Sequence, residues 1–167
     1  MRTAAAIVIP LLCAVLQVGV VHFLSIGEVG PDLLALVVVS WSLIGGAAQG
    51  VWWAFAGGIA ADLLGSAAFG ATTVSLLPVA LGFGLRDRTA GDPTLIGGAV
   101  LVGVGALAHH LAQALVLVLV GASLPPLGIL LAGGVGTGLY TGTLALAVYP
   151  LLRMLHRRTA REPAFDW

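Results

Sequence analysis

Two carboxylates are unusual in this chain because each lies within the long apolar stretch 31–70. Asp32 falls near the start of one apolar segment, and Asp62 falls near the end of the next. An ionisable side chain at the centre of a bilayer costs about 2.5–3.5 kcal/mol on insertion scales, so such a position requires a structural or functional reason. A turn at Gly45 and Gly46 would leave the two carboxylates at similar distances from it. Two antiparallel helices joined there would therefore hold Asp32 and Asp62 at the same depth and the same end.

Histidines are the other side chains that could transfer protons or bind a metal. His22 lies near the end of the first apolar segment, where it either faces headgroups or joins a polar cluster with the two carboxylates. His109 and His110 are adjacent and are followed by Gln113. Neighbouring residues on a helix point about 100° apart, so this pair cannot easily chelate one ion. We predict a polar packing role for the pair, and no metal site or cofactor.

The sequence shows no set of nucleophile, base and orienting group in the arrangement that covalent catalysis requires, so we predict no catalytic residues and no enzyme activity.

The composition indicates the class of protein. Hydrophobic residues make up 59% of the 167-residue chain and charged residues 8%, and the mean hydropathy is +1.10. A soluble domain has roughly 25% charged residues, so this chain cannot cover a globular surface with charge. The zero net charge argues neither for nor against a charged partner, but the arginines are few and lie mostly at the ends of the chain, so we predict no nucleic-acid partner.

Six long apolar segments predict an all-α integral membrane protein, since runs of this length favour helices over a barrel. The length fits a single transmembrane domain over 1–167, with one bundle of six helices. Pro31 suits the first position of the second helix, and Asp32 suits the positive end of its dipole, where we predict that it caps the helix. Segments two and four are short for the about 20 residues that cross a bilayer, so thin spans and partly re-entrant segments both remain open. The predicted spans are 4–24, 31–44, 47–64, 71–85, 94–120 and 127–155, followed by a cytoplasmic tail at 156–167.

The arginines indicate the orientation of these spans. With six spans, the termini and the loops at 45–47 and 86–93 share one side of the membrane, and that side receives every arginine of the chain: Arg2, Arg86, Arg88, Arg153, Arg157, Arg158 and Arg161. The positive-inside rule then places both termini in the cytoplasm. Trp41, Trp52 and Trp53 fall toward the cytoplasmic half, where we expect an aromatic belt.

Small residues recur at every fourth position of the third segment. Gly46, Gly50, Ala54 and Gly58 precede Asp62 in this row, and such faces allow membrane helices to approach closely. The row predicts that Asp62 points along a packed face rather than toward lipid. Similar rows occur in segments five and six: Gly97, Leu101, Gly105 and His109; Gly98, Val102, Ala106 and His110; and Gly134, Gly138 and Gly142. We interpret them as packing within the chain, with a partner-binding face as the alternative.

The order and spacing of residues 31–70 resemble the rod shape-determining protein MreD family. That family has a Pro followed by Asp or Asn, an apolar run and a Trp, and then a Gly-rich helix that ends in an Asp-Leu pair before a Gly-containing turn. The resemblance covers about a quarter of the chain. It assigns structural or interaction roles to the matching positions Pro31, Asp32, Trp41, Gly50, Gly58, Asp62, Gly65 and Gly70.

The resemblance implies a multi-pass protein of the bacterial inner membrane. It also implies a non-enzymatic scaffold subunit of the cell-elongation complex that directs peptidoglycan synthesis. Family members bind MreC and work with MreB, the glycosyltransferase RodA and its partner penicillin-binding transpeptidase.

The family is similar in fold to the S components of energy-coupling vitamin transporters. The alternative is therefore a small-molecule carrier, with possible pocket residues at His109, His110, Gln113, Tyr140 and Thr141. We favour the scaffold.

Overall fold

A computed structural model describes residues 2–19, 21, 25, 29–65, 68–86 and 93–160. Within these residues the protein is all helical, with six helices: α1 (Arg2–Gly19), α2 (Leu33–Gly45), α3 (Ala47–Leu64), α4 (Ala71–Gly84), α5 (Leu95–Leu119) and α6 (Leu127–Ala160). At a rise of about 1.5 Å per residue, α5 is about 37 Å long and α2 only about 20 Å. In the described chain, α5 and α6 are the two helices long and apolar enough to cross a membrane.

The short helix α2 lies at the centre of the bundle. Every residue from Leu34 to Ser42 is buried, and α2 packs against all five of the other helices. A helix that is apolar on all faces is stable only when neighbours surround it. The apolar faces of α2 are covered in this way by the other five helices.

Helices α2 and α3 form an antiparallel hairpin around Gly46, whose φ of 87° favours glycine. A Cβ added at Gly50 would lie 2.7 Å from the Cβ of Ser42, and one added at Gly57 would lie 2.6 Å from a methyl carbon of Leu34. The contacts therefore run in opposite directions along the two helices. The predicted turn at Gly45 and Gly46 is confirmed, and so is the close packing that the small residues of α3 predict.

The remaining contacts fix the direction of the other helices. Helix α4 is antiparallel to α3, since Gly58 lies against Thr73 and Gly84 lies against Ala47. Helix α6 is antiparallel to α5, because the small residues of its row meet α5 in reverse order: Gly134 with Leu107, Gly138 with Gly103 and Gly142 with Ala99. These glycine rows are used for packing within the chain.

The bundle has two chemically different ends. One end, which we call the carboxylate end, contains Asp32 and Asp62. The opposite end contains the Gly46 turn and all arginines whose side chains are described, and we call it the arginine end: Arg86 follows α4 there, and Arg153 and Arg157 lie on the last turns of α6. The contact of Trp41 with His156 shows that these turns of α6 lie beside the α2–α3 turn.

Helix bounds differ from the predicted segments in three places. Pro31 is not the first helical residue, because Asp32 is the N-cap and α2 begins at Leu33. Helix α6 continues to Ala160, so the predicted tail at 156–167 begins as helix; 161–167 lie outside the described residues. Helix α1 begins at Arg2 rather than at 4; Val21 is also helical, whereas 20 and 22–24, which include the predicted end of this segment, lie outside the described residues.

The prediction of an aromatic belt is wrong for two of its three tryptophans. Trp41 and Trp53 are buried and stack on each other, with ring centroids 4.2 Å apart and planes 9° from parallel. The Trp41 indole N–H also donates to Gln49 Oε1 at 3.0 Å. Only Trp52 of the three is exposed, at 51%. The stack joins α2 to α3 near their turn, so these rings contribute to packing rather than to an interface with headgroups.

Candidate functional site

Asp32 joins α2 to α5 through its side chain. Its Oδ1 accepts the N–H of Ala35 at 2.9 Å, which caps α2, and its Oδ2 lies 2.5 Å from His109 Nδ1 on α5. Asp32 is 8% exposed and His109 is 3% exposed. The predicted capping role of Asp32 and the predicted polar packing role of His109 are both confirmed, and they turn out to be parts of one structure.

The backbone before α2 is bonded to two other helices. The N–H of Asp32 donates to Thr141 Oγ1 on α6 at 2.9 Å. The N–H of Leu33 donates to Gln17 Oε1 on α1 at 2.7 Å, and the Gln17 amide in turn donates to the carbonyl of Pro31 at 3.5 Å. The first N–H groups of any helix lack partners within that helix, and burial makes each unpaired one costly. We call Gln17, Asp32, His109 and Thr141 the Asp32 joint.

Asp62 holds the start of α4 against the end of α3. Its Oδ1 accepts the N–H of Thr72 at 2.9 Å, and its Oδ2 accepts the N–H of Thr73 at 3.0 Å and the Thr73 hydroxyl at 2.6 Å. A carboxylate at this position also interacts favourably with the α4 dipole. A Cβ at Gly58 would lie 2.7 Å from the Thr73 Cα, so this glycine permits the approach. We call Asp62, Thr72, Thr73 and Gly58 the Asp62 joint.

Three glycines to which the family resemblance assigns structural or interaction roles lie at turns or at close contacts between helices. Gly50 allows α3 to lie against Ser42 of α2. Gly65 is the C-cap of α3, and its N–H donates to Ala61 O at 2.8 Å. Gly70 precedes α4 with φ of 88°, a conformation that side chains disfavour. These positions shape the α2–α3–α4 unit.

The predicted polar cluster at the carboxylate end is in fact two separate structures. Asp32 and Asp62 do lie at one end of the hairpin, but in the described chain they share no hydrogen-bond partner. The third expected member, His22, lies outside the described residues. Each carboxylate therefore connects a different set of helices.

The Asp32 joint contains a carboxylate, an imidazole and a hydroxyl, but their bonds do not follow the order of a catalytic triad. In a triad the hydroxyl bonds to the second imidazole nitrogen. Here the Thr141 hydroxyl bonds to a backbone N–H, and buried His109 Nε2 has no hydrogen-bond partner among the described residues. No group of three metal-binding side chains occurs within that part of the chain either. The geometry supports a connection between helices.

Sequence reasoning missed the pairing of Asp32 with His109 and the role of Gln17. Gln17 is an isolated amide in an apolar helix, and polar side chains in such helices generally bond to a neighbouring helix. That rule predicts that Gln17 and His109 have partners. It does not identify them, because 77 positions separate Asp32 from His109.

Searches against protein-family models, curated proteins and solved structures found no match to this chain.

Proposed function

We propose that this chain is a multi-pass membrane protein whose six helices form one bundle with its arginine end in the cytoplasm. Its composition, the length of α5 and α6, and the exposed apolar side chains of the outer helices support a lipid environment. Ile96 and Leu139, for example, are 71% and 69% exposed. The described arginines lie together at one end, as the positive-inside rule requires of cytoplasmic segments. Buried α2 crosses the bundle interior rather than lipid.

We further propose that the bundle is a non-enzymatic scaffold subunit of the bacterial cell-elongation complex. It would bind MreC directly and support RodA, the penicillin-binding transpeptidase and MreB indirectly. The observation that carries this proposal is that both carboxylates of the MreD-like stretch are bonded within the chain, at helix starts. Residues used in this way fix the relative positions of helices. A rigid outer surface with fixed helix positions is what a scaffold presents to its partners.

The proposal is tested by recovery of MreC with two variants of neighbouring residues. Asp62→Leu removes the acceptor of three hydrogen bonds, whereas Leu63→Ala changes an exposed side chain one position away. We expect several-fold lower co-purification of MreC and a loss of rod shape with Asp62→Leu at equal expression. Leu63→Ala should behave as wild type. Normal MreC recovery and normal cell shape with Asp62→Leu would remove Asp62 from this function.

A small-molecule carrier is the weaker candidate, and it is favoured by a cavity that contains two of the residues expected to line a pocket. A cleft of about 220 Å³ between α5 and α6 includes His110 and Gln113 in its lining. Pockets for drug-sized ligands usually measure about 300–1,000 Å³, so this cleft is small for a vitamin. His109 and Thr141, also expected to line a pocket, bond to Asp32 instead. Thermal stabilisation by any member of a vitamin panel would support the carrier; we expect none.

A further inference from the structure

The cleft between α5 and α6 lies at the carboxylate end of the bundle, beside the connection between these helices. Its polar residues His110 and Gln113 come from the second half of α5. Leu124 in the connection and Ile129 and Leu130 on the first turns of α6 form apolar walls, and Gly133 completes the α6 side. The cleft is thus apolar except along one strip of α5.

His110 and Gln113 form that strip because residues three apart lie on the same face of a helix. Neither has a hydrogen-bond partner within the described part of the chain. The ring of His110 fits against the bare backbone of α6, since a Cβ at Gly134 would lie 3.0 Å from His110 Cδ2. Both side chains are half-buried, so they place hydrogen-bonding groups in a cleft that is otherwise apolar. The cleft is therefore suited to a polar group.

The size and rim of the cleft indicate that this polar group is one end of a longer apolar molecule. About 220 Å³ is less than a drug-sized ligand fills. The rim residues Leu124 and Ile129 are exposed. If the bundle lies in a bilayer, as the proposed function has it, these side chains face lipid, and the molecule that reaches the cleft is a lipid.

The distribution of charge selects among headgroups. Among the side chains that the structure describes, the carboxylates Asp32 and Asp62 lie at this end and the arginines lie at the other. An anionic headgroup would find no arginine here. An ammonium group supplies three N–H donors, which the Gln113 oxygen and an imidazole lone pair can accept, while the Gln113 amide can donate to the adjoining phosphate. We propose that this cleft binds the headgroup of a phosphatidylethanolamine lipid.

The proposal is tested by native mass spectrometry of the purified full chain in competing lipids: phosphatidylethanolamine, phosphatidylcholine and phosphatidylglycerol. Phosphatidylcholine is the matched probe, because its nitrogen carries methyl groups and has no N–H to donate. One net hydrogen bond corresponds to about a fivefold change in an equilibrium constant. We expect wild-type protein to retain phosphatidylethanolamine about fivefold or more over either competitor. Equal retention, or preference for phosphatidylglycerol, would overturn the assignment.

Variants locate the preference in the cleft. Gln113→Leu and His110→Leu should each lower the retention of phosphatidylethanolamine to the level of phosphatidylcholine. Thr143→Val removes a hydroxyl from an exposed position of α6 outside this cleft and should leave the retention of phosphatidylethanolamine unchanged. An unchanged preference in both cleft variants would contradict the proposal. A cleft variant that misfolds leaves the wild-type headgroup ranking as the deciding result.

The test separates this inference from the proposed function. The chain is measured alone, so a failure to bind MreC in cells would not alter the lipid ranking. A chain that does not float with liposomes would overturn the membrane placement and the lipid site together. A chain that floats and shows no headgroup preference would overturn the lipid site alone.

Discussion

Asp32 and Asp62 are both buried carboxylates at one end of the bundle, and both accept N–H groups at the start of a helix. They differ in how far apart in sequence their partners lie. Asp62 bonds to residues 10 and 11 positions away, across a single turn. Asp32 bonds to His109, 77 positions away, and its backbone N–H bonds to Thr141, 109 positions away. The Asp62 joint connects α3 to α4, whereas the Asp32 joint connects α1, α2, α5 and α6.

This difference has an energetic consequence. When Asp62 is removed, the N–H groups of Thr72 and Thr73 lose an acceptor, but Thr72 is only half-buried. When Asp32 is removed, the buried His109 ring is left with no hydrogen-bond partner in the described chain at either nitrogen. Removing one partner of a buried hydrogen bond leaves the other partner unsatisfied, which is more costly than replacing both with apolar groups. The Asp32 joint is therefore expected to be the more sensitive of the two.

The largest predicted effect follows from replacing Asp32. Asp32→Leu should lower the free energy of unfolding by about 2–6 kcal/mol, because it removes the acceptor of the Ala35 N–H and the partner of the buried His109 ring, and each buried polar group left without a partner costs about 1–3 kcal/mol. The measurement is denaturant unfolding in detergent micelles, followed by tryptophan fluorescence, since the Trp41–Trp53 stack should report loss of packing. Adding His109→Leu to Asp32→Leu should cost less than the sum of the two single changes.

Asp32→Ser separates the two contributions of Asp32. Serine caps a helix about as well as aspartate, so this variant keeps the acceptor for Ala35 and loses the bond to His109. Asp32→Ser should therefore destabilise the protein by about 1 kcal/mol less than Asp32→Leu does, because it keeps the cap. If Asp32→Ser is as stable as wild type, capping alone explains Asp32 and the contrast with Asp62 disappears.

The two joints also differ in how much of them the sequence predicts. The hairpin at Gly46, the cap at Asp32 and the packed face of Asp62 follow from turn chemistry, capping and small-residue spacing, which are all local signals. Contacts between distant helices leave no such signal in one sequence, so the Asp32–His109 bond could not be predicted. For the same reason the stacking of Trp41 on Trp53 was missed, because it depends on the rotation of one helix against another.

A smaller effect is expected from filling the space that lets α3 approach α4. A methyl group at Gly58 would lie 2.7 Å from the Thr73 Cα and 2.9 Å from its hydroxyl oxygen, so it would separate Asp62 from Thr73. Gly58→Ala should therefore destabilise the protein by about 1–3 kcal/mol, as overpacking does. Gly82→Ala is the matched control, since nothing lies within 4 Å of that position on α4. It should be neutral or stabilising by up to about 1 kcal/mol, because alanine favours helix. Equal effects would show that α3 and α4 are not closely packed.

One conservative change, Thr→Val, distinguishes the joints at two buried threonines and includes the smallest effect that we expect, at Thr73. Thr141→Val removes the acceptor of the Asp32 N–H, and a buried N–H left without a partner costs about 1–3 kcal/mol. Thr73→Val removes one of three bonds to Asp62, whose oxygens keep two backbone donors, so about 0.5–1.5 kcal/mol is expected. Both are measured by the same unfolding titration. A larger loss at Thr73 than at Thr141 would reverse the ranking of the joints, because the local hairpin would then contribute more to stability than the connection between distant helices.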